Sequence, residues 1–219
     1  MAARSRTPLP PRTGVPDLPA VLDEVSAVHA RDDLLGVALV GLGGDVDAAH
    51  ARIGESRLAG ATVGHLDLTG TTLVDVAVDD LRAVEVIARD GTWRNVEISG
   101  GRIATLDGLR ARWDSVVLRG VHVDYLSLPS AEVTDVLFVD CRFGTIDLPE
   151  GRLTRVAFQG CRADEVDTRG LRAADLDLRG LEALSFTDAR SLTGAWLEPR
   201  QAELHAATFA QALGIRIAT

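Results

Sequence analysis

The chain has 219 residues, of which 46% are hydrophobic and only 4% aromatic, and its formal net charge is −9 at pH 7. A chain of this length and hydrophobicity can bury one substantial core, so a single domain is expected. The acidic balance argues against a general nucleic-acid-binding protein, which would need clustered basic residues to neutralise phosphates.

Residues 1–16, MAARSRTPLPPRTGVP, contain several prolines and no apolar segment. This composition predicts a disordered, Pro-rich tail. Arg4 and Arg6 are not followed by the apolar stretch of a signal peptide. The longest apolar run, residues 34–44, is far shorter than the roughly 20 residues that a membrane span needs. We therefore expect a cytoplasmic protein without membrane contact.

Residues 17–45 are predicted to form an N-terminal capping helix and a lead-in strand. The helix is indicated by apolar residues at the i, i+3, i+4 spacing of one helical face, namely Leu18, Val21, Leu22, Val25 and Val28. The strand-like run begins at Leu34. A cap is expected here because the end of a coil exposes unpaired backbone and apolar interior.

Residues 46–190 keep one register without a gap. In blocks of ten from Ala51, such as ATVGHLDLTG and ARWDSVVLRG, the third, sixth and eighth columns are apolar nearly throughout. The underlying unit has five residues: small or apolar, any residue, a larger apolar residue, then two mostly polar ones. Because strand side chains alternate between faces, the first and third residues point inward and the second points outward. A helical face has a different spacing, so each unit is one short side of a coil.

Rare residues in these coils recur at intervals of twenty. The pairs are Trp93 and Trp113, Cys141 and Cys161, and Pro129 and Pro149. Equivalent positions on successive turns should stack, so this period predicts four sides per turn.

This repeat resembles that of the pentapeptide-repeat protein family, over roughly two thirds of the chain. The resemblance implies an all-β solenoid: a right-handed quadrilateral β-helix, here of about seven coils, with short helical caps. The chain departs from the usual unit in two ways. Few units carry Asp before the central residue, and alternate sides begin with Val, Leu or Ile where a small residue is commoner.

Residues 191–219 are predicted to form a C-terminal capping helix. Glu198 and Pro199 mark its start, and Gly214 lies past its last turn. An apolar stripe at helical spacing is expected to cap the last coil, and its members are Ala202, Ala206, Phe209 and Leu213. The alternative is that this stripe also pairs with its copy in a second chain, giving a homodimer, as in relatives that the chain resembles.

The sequence predicts no catalytic residues, no cofactor and no metal, and therefore no enzyme. Gly41, Gly43 and Gly44 follow an apolar run, as in a dinucleotide-binding turn. However, Val46 stands where the third glycine of that motif belongs, and no βαβ unit follows. The five histidines show no spacing that would converge on a metal. Cys141 and Cys161 lie in an inward column, where we expect buried thiols rather than a disulfide.

Three outward columns remain as candidate surfaces. One is an acidic ladder, carried by Asp67, Asp107, Asp147 and Asp167. The neighbouring column is largely basic and consists of Thr62, Arg82, Arg102, His122, Arg142 and Arg162. A third surface is an apolar cluster of Val117, Leu137, Val139 and Ala157, the candidate partner surface. Something should keep this cluster out of water, either a partner or the Pro-rich tail.

Two functions are consistent with these features. The first is a non-catalytic interaction scaffold that binds an unknown partner protein through its outer faces. The alternative comes from the resemblance, because quinolone-resistance pentapeptide-repeat proteins mimic duplex DNA and bind DNA gyrase. Neither function involves direct binding of nucleic acid. The basic column argues against the alternative, since it interrupts a continuous negative surface.

Overall fold

The computed structural model describes residues 7–218. Its sixteen strands pair in parallel and wind into one solenoid. The strands are β1 Asp23–Val25, β2 Asp33–Leu35, β3 Val37–Val40, β4 Gly43–Asp47, β5 Arg52–Ala59, β6 Thr62–Asp67, β7 Thr72–Ile87, β8 Thr92–Asp107, β9 Arg112–Arg119, β10 His122–Ser127, β11 Glu132–Val139, β12 Arg142–Asp147, β13 Arg152–Gln159, β14 Cys161–Asp167, β15 Arg172–Asp177 and β16 Leu181–Thr187. After them come a 3-10 helix, Ala189–Leu192, and two short helices, α1 Pro199–Leu204 and α2 Ala206–Ala212.

From β5 onward, paired residues are twenty positions apart, so each turn has four sides of five residues. Trp93 lies directly beside Trp113, and their ring centroids are 4.9 Å apart. Phe138 lies beside Phe158, with centroids 4.7 Å apart. The predicted four-sided β-solenoid of five-residue units is confirmed by this register. The solenoid makes about eight turns, one more than predicted, because strands begin at Asp23.

The four sides are named by their first complete copies: side A is residues 51–55, side B 56–60, side C 61–65 and side D 66–70. Later copies follow every twenty residues. The first and third residues of each side are buried nearly throughout. At the A–B, B–C and D–A corners the last residue usually has a positive φ, which is how the chain turns within one residue. These corners favour Gly, Asn or Asp, the residues that adopt left-handed backbone most readily.

The first coils are irregular, and the predicted N-terminal helix is wrong. Asp23 pairs with Val37, and Ala38 with Arg57, so the register reaches twenty only after an irregularity at Gly44/Asp45. The segment that was expected to be helical instead adds β1 to the free edge of β3. A short isolated helix is marginally stable, whereas a strand here satisfies exposed backbone groups on the edge.

The tail prediction is also wrong for residues 7–16, which are ordered and run along the outside of the coil. Residues 1–6 lie outside the described residues. Hydrogen bonds between the backbone of this segment and side chains of the coil hold it in place. Residues 7–17 are called the N-terminal segment.

The predicted C-terminal helix is present, but it is broken at His205, and of the four residues in the predicted stripe only Phe209 packs against the core. Ala202 and Ala206 are exposed, and Leu213 is 75% exposed. Beside Phe209, the face toward the last coil carries Gln201 and His205. Gln201 Nε2 donates hydrogen bonds to the carbonyls of Leu178 and Leu181, and His205 Nε2 lies 3.1 Å from the Ala183 carbonyl. The cap therefore satisfies carbonyl groups of the last coil, as well as covering its apolar interior.

Among residues 7–218, no helix has both the length and the apolar character that crossing a membrane requires.

Candidate functional site

The apolar cluster on side B is largely buried, although its side chains point away from the core. Val117 is 1% exposed and Ala157 7%, while Leu137 and Val139 are half-buried. Val117 and Ala157 are thus kept out of water, as was expected of this candidate partner surface. Of the two explanations offered by the sequence, the structure favours the chain's own tail.

The N-terminal segment runs along side B in the direction opposite to the growth of the coil. Its backbone N–H groups donate to side chains at the A–B corner on four turns of the coil. The bonds join Leu9 to Asp175 at 3.1 Å, Arg12 to Asp135 at 2.8 Å, Gly14 to Ser115 at 3.1 Å and Asp17 to Asp75 at 3.2 Å. In addition, Asn95 Nδ2 donates to the Val15 carbonyl at 3.2 Å. A cleft lined by residues 15–18 and by the outward side chains Ala77 and Glu97 places the segment on side B.

The extended length of the segment matches the spacing of the coils. Asp17 follows Leu9 by eight residues along the segment. Their acceptors, Asp75 and Asp175, are separated by five turns of twenty residues along the coil. Five turns measure about 24 Å at roughly 4.8 Å per strand. Eight residues of polyproline II backbone measure about 25 Å at roughly 3.1 Å per residue. The prolines therefore favour the conformation that lets the backbone N–H groups of the segment reach corners spread over five turns.

The side chains that bind the segment all stand at the A–B corner, where the backbone has a positive φ. Each A–B corner residue has a φ between 48° and 58°, and none of the seven is glycine: Glu55, Asp75, Asn95, Ser115, Asp135, Arg155 and Asp175. The B–C corner, with the same backbone requirement, has Gly60, Gly100, Gly120 and Gly160 in addition to Asp80 and Asp140. Side chains are thus retained at the A–B corner in spite of a backbone that favours glycine. Five of those side chains bind the N-terminal segment.

Asp135 is the most buried of these acceptors, and it also forms an ion pair. Its carboxylate accepts two hydrogen bonds from Arg155, at 2.6 Å each, besides the bond from the Arg12 N–H. Hydrogen bonding by Arg155 lowers the pKa of Asp135, and the Arg12 N–H acts in the same direction. The Asp135 side chain is only 9% exposed, so this carboxylate joins two turns of the coil and the N-terminal segment.

The acidic ladder of side D is engaged in local structure. Asp67 and Asp107 each accept the backbone N–H two residues on, at 2.8 Å and 3.1 Å. Asp167 does the same for Arg169 and forms an ion pair with its side chain. Burial alone would raise the pKa of Asp167, but the hydrogen bonds from Arg169 outweigh it and lower that pKa. These carboxylates stabilise the D–A corner, in the manner of Asx turns.

Asp147 is the exception in this ladder, because Pro149 has no N–H to donate. Its carboxylate instead accepts hydrogen bonds from the previous turn, from Tyr125 Oη at 2.9 Å and Ser127 Oγ at 3.2 Å. Burial is the largest cause of the raised pKa of Tyr125, and the hydrogen bond with Asp147 raises that pKa further. The acidic column was thus identified correctly from the sequence, but its oxygens are largely used within the coil.

The basic column of side C is partly neutralised. Arg102 forms an ion pair with Asp124 at 3.0 Å, and Arg162 with Glu182 at 3.0 Å. His122 Nε2 also lies 3.1 Å from Asp124. Within residues 7–218, Arg142 forms no ion pair.

The outward column of side A was missed by the sequence reasoning, and more of its arginines lack an ion pair within the described residues than do those of side C. Its members are in register on successive turns: Arg52, Thr72, Thr92, Arg112, Glu132, Arg152 and Arg172. Arg152 and Arg172 are adjacent, exposed and without an ion-pair partner in the described part of the chain. They line an open groove of about 520 Å³ together with Ser130, Glu132, Glu150 and Gly170. The same period of twenty residues could have revealed this column, since it relates the second residues of successive side A units.

Cys141 and Cys161 are free and buried, as predicted. Each thiol approaches backbone carbonyls, with Cys141 Sγ 3.3 Å from the Val139 oxygen. Hydrogen bonding with Cys161 and burial raise the pKa of the Cys141 thiol. Among the described residues, no group of three or more His, Cys, Asp or Glu side chains is placed to hold a metal ion.

The C-terminal end carries exposed apolar side chains. Leu204 is 71% exposed, Ile215 56% and Ile217 50%. Beside them, an open groove of about 290 Å³ has Leu192, Leu197, Phe209 and Leu213 in its lining. The surface around the C-terminal helices is therefore apolar over several neighbouring side chains.

Comparison with known proteins gives little beyond this geometry. Neither protein-family models nor curated proteins match the chain. Among solved structures, a similar one is a trypsin-treated variant of QnrB1, described as a plasmid-mediated fluoroquinolone resistance protein. The two share 15% identity over 86% of this chain and 99% of that chain, with a TM-score of 0.32. At this level the likeness carries no weight, and the fold assignment rests on the register of the coils.

Proposed function

We propose that this pentapeptide-repeat β-helix is a non-catalytic scaffold that binds a partner protein through its outer faces, with side A as the main contact. The partner surface is acidic. We further propose that it acts in the cytoplasm, where Cys141 and Cys161 remain reduced.

The observation that carries this proposal is the pair Arg152 and Arg172. Like charges directly opposite on neighbouring strands are destabilising, and the packing of the coil does not require Arg at an outward position. Elsewhere on the coil most arginines meet carboxylates, as Arg102 and Arg162 do. Carboxylates from a partner would offset the repulsion on side A, and the planar guanidinium suits paired contacts with them.

The alternative, a DNA mimic that binds gyrase, needs a continuous negative surface. The carboxylates of Asp67, Asp107 and Asp167 are bound within the coil, and sides A and C carry arginines. No observation therefore favours the alternative. We expect no inhibition of gyrase in a supercoiling assay at concentrations that saturate partner binding, and inhibition would restore this alternative.

The proposal is tested by affinity capture from an extract of the native host. The Arg152→Glu/Arg172→Glu variant reverses two stacked charges on side A. Its matched control is Arg142→Glu/Arg162→Glu, which reverses two in-register charges on side C. We expect a protein that is retained by the wild type and by the control but lost from the side A variant. Retention of the same proteins by all three would contradict the choice of side A.

We also propose that the C-terminal end pairs with a second copy, giving a homodimer. The exposed Leu204, Leu213 and Ile215 support this, because apolar side chains grouped at one end of a soluble molecule favour contact. Light scattering should report a dimer for the wild type and a monomer for Leu213→Arg. A monomeric wild type at micromolar concentration would contradict it.

A further inference from the structure

We infer that side B and the A–B corner form a binding groove for an extended, proline-containing segment of a partner protein, which enters by displacing the N-terminal segment. This inference rests on the proposed scaffold function and names a second partner contact, of different chemistry from side A. Residues 7–17 are the resident occupant and show what the groove accepts.

Recognition in this groove is mainly through backbone groups. Four of the five hydrogen bonds to the segment use its backbone N–H groups, and the fifth uses a backbone carbonyl. The donors are Leu9, Arg12, Gly14 and Asp17, all at non-proline positions. Because backbone groups are common to all sequences, another extended segment with N–H groups at the same spacing would make the same bonds.

The prolines set the conformation and part of the packing. Pro8 and Pro16 are buried, although Leu9 is 44% exposed and Val15 80% exposed. Proline also loses little conformational entropy on ordering, which favours binding of an extended segment. The groove therefore selects a conformation and a proline pattern more than particular side chains.

One position has a steric requirement as well. A Cβ on Gly14 would lie 3.1 Å from Asn95 Oδ1, closer than ordinary contact. The same Asn95 oxygen is buried and has no hydrogen-bond partner in the described residues. A partner segment should thus carry glycine or a small residue there, or a group that donates to Asn95 Oδ1.

At one end of the groove the resident segment is tethered to the coil through the chain that follows it. It continues through Leu18, Pro19 and Val21 into β1, and Val21 is 82% exposed. A tethered occupant competes at an effective concentration in the millimolar range for a short linker. Weakening the resident segment should therefore open the groove to a segment in trans, without a change in the coil.

The test uses the full-length chain and a fluorescently labelled peptide of residues 7–17, TPLPPRTGVPD. The released variant, Arg12→Pro/Asp17→Pro, removes two N–H donors and keeps an extended backbone. The matched control, Thr13→Pro/Val15→Pro, adds the same number of prolines where the N–H forms no hydrogen bond within residues 7–218. Fluorescence anisotropy should show saturable binding to the released variant at least tenfold tighter than to the wild type or the control.

Two further arms establish where the peptide binds. Adding Leu137→Arg to the released variant should abolish binding, because this side chain points into the groove. A peptide with proline in place of Arg12 and Asp17 should not bind. Circular dichroism establishes whether each variant keeps the coil. If the double substitution unfolds the protein, the single variant Arg12→Pro takes the place of the released variant.

Absence of saturable binding to a folded released variant would overturn the inference, and so would binding that Leu137→Arg leaves unchanged. Either result leaves the side A proposal intact, because the capture experiment compares charge reversals on a different side. Conversely, if the affinity capture contradicted the choice of side A, fluorescence anisotropy would still test peptide binding on side B.

Discussion

Inside the coils from β5 to β16 most residues have near-equivalent neighbours twenty positions before and after them, whereas the N-terminal segment and the C-terminal helices each occur once and have no equivalent copy beside them. In the coils, a side chain packs against its own column, as Trp93 does on Trp113. At the ends, the contacts are between unlike partners: backbone N–H groups with corner carboxylates, and Gln201 with strand carbonyls.

The regular coil thus creates polar groups that its irregular ends then satisfy. The corners require left-handed residues, and the Asp and Ser residues used at the A–B corner leave acceptors pointing outward. The last strand leaves unpaired carbonyls, such as that of Ala183. The flanking segments have little internal structure to stabilise them, and they become ordered on these groups.

The greatest loss of stability is expected in the repeated core. Phe138→Ala and Phe158→Ala should each lower the free energy of unfolding by about 3 to 5 kcal/mol. Each substitution removes a buried ring and leaves the other ring without its stacked neighbour. Chemical denaturation monitored by circular dichroism measures the loss. Asp67→Ala is the control and should cost about 1 kcal/mol, the value of one hydrogen bond to Thr69. Equal losses for all three variants would contradict the assignment of inward and outward columns.

The period of twenty residues made the coil predictable from the sequence, since it determines which residues stack and which point inward. The ends could not be predicted in the same way. Apolar residues from Leu18 to Val28 fit a helix, but the free edge of β3 made a strand more favourable for Asp23–Val25. The prolines of residues 7–16 indicated disorder. The order of this segment could not be predicted from composition, because composition does not show that a row of hydrogen-bond acceptors at matching spacing lies nearby.

The outward columns were identified correctly, but their roles depended on bonding that a column does not reveal. Asp67 occupies its predicted outward position, yet its carboxylate is bound by the backbone two residues on. Arg152 and Arg172 occupy a column that is equally evident in the sequence, and they remain without a carboxylate in the described structure. Columns therefore give the position of a side chain, and contacts decide whether it is available to a partner.

An intermediate effect is expected at the C-terminal cap. His205→Ala should cost about 2 kcal/mol, because it leaves the buried Ala183 carbonyl without a donor and removes an edge contact with Phe186. The exposed neighbour Glu203→Ala should have little effect. Hydrogen exchange should show faster exchange in β16 for the first variant only. If only the helices exchanged faster, the cap would not stabilise the last coil.

A still weaker effect concerns the pH dependence of the N-terminal segment. The pKa of Asp135 is lowered in the folded protein, chiefly by hydrogen bonding with Arg155 and also by the Arg12 N–H. A group with a lowered folded pKa contributes stability that is present above its unfolded pKa, about 3.9 for Asp. That contribution is lost as the pH falls through the folded value. Between pH 5 and pH 8 this carboxylate should therefore give no pH dependence.

Asp135→Asn keeps an oxygen that can accept from Arg12 but removes the titrating group. The wild type should thus lose stability more steeply than Asp135→Asn below about pH 4, and the two curves should run parallel above pH 5. Asp90→Asn provides the comparison, because the Asp90–Arg110 pair is exposed and contributes little. Anisotropy of a label near Thr7 should report release of the segment over the same acid range. Release between pH 6 and pH 7 would mean that a group other than Asp135 controls attachment.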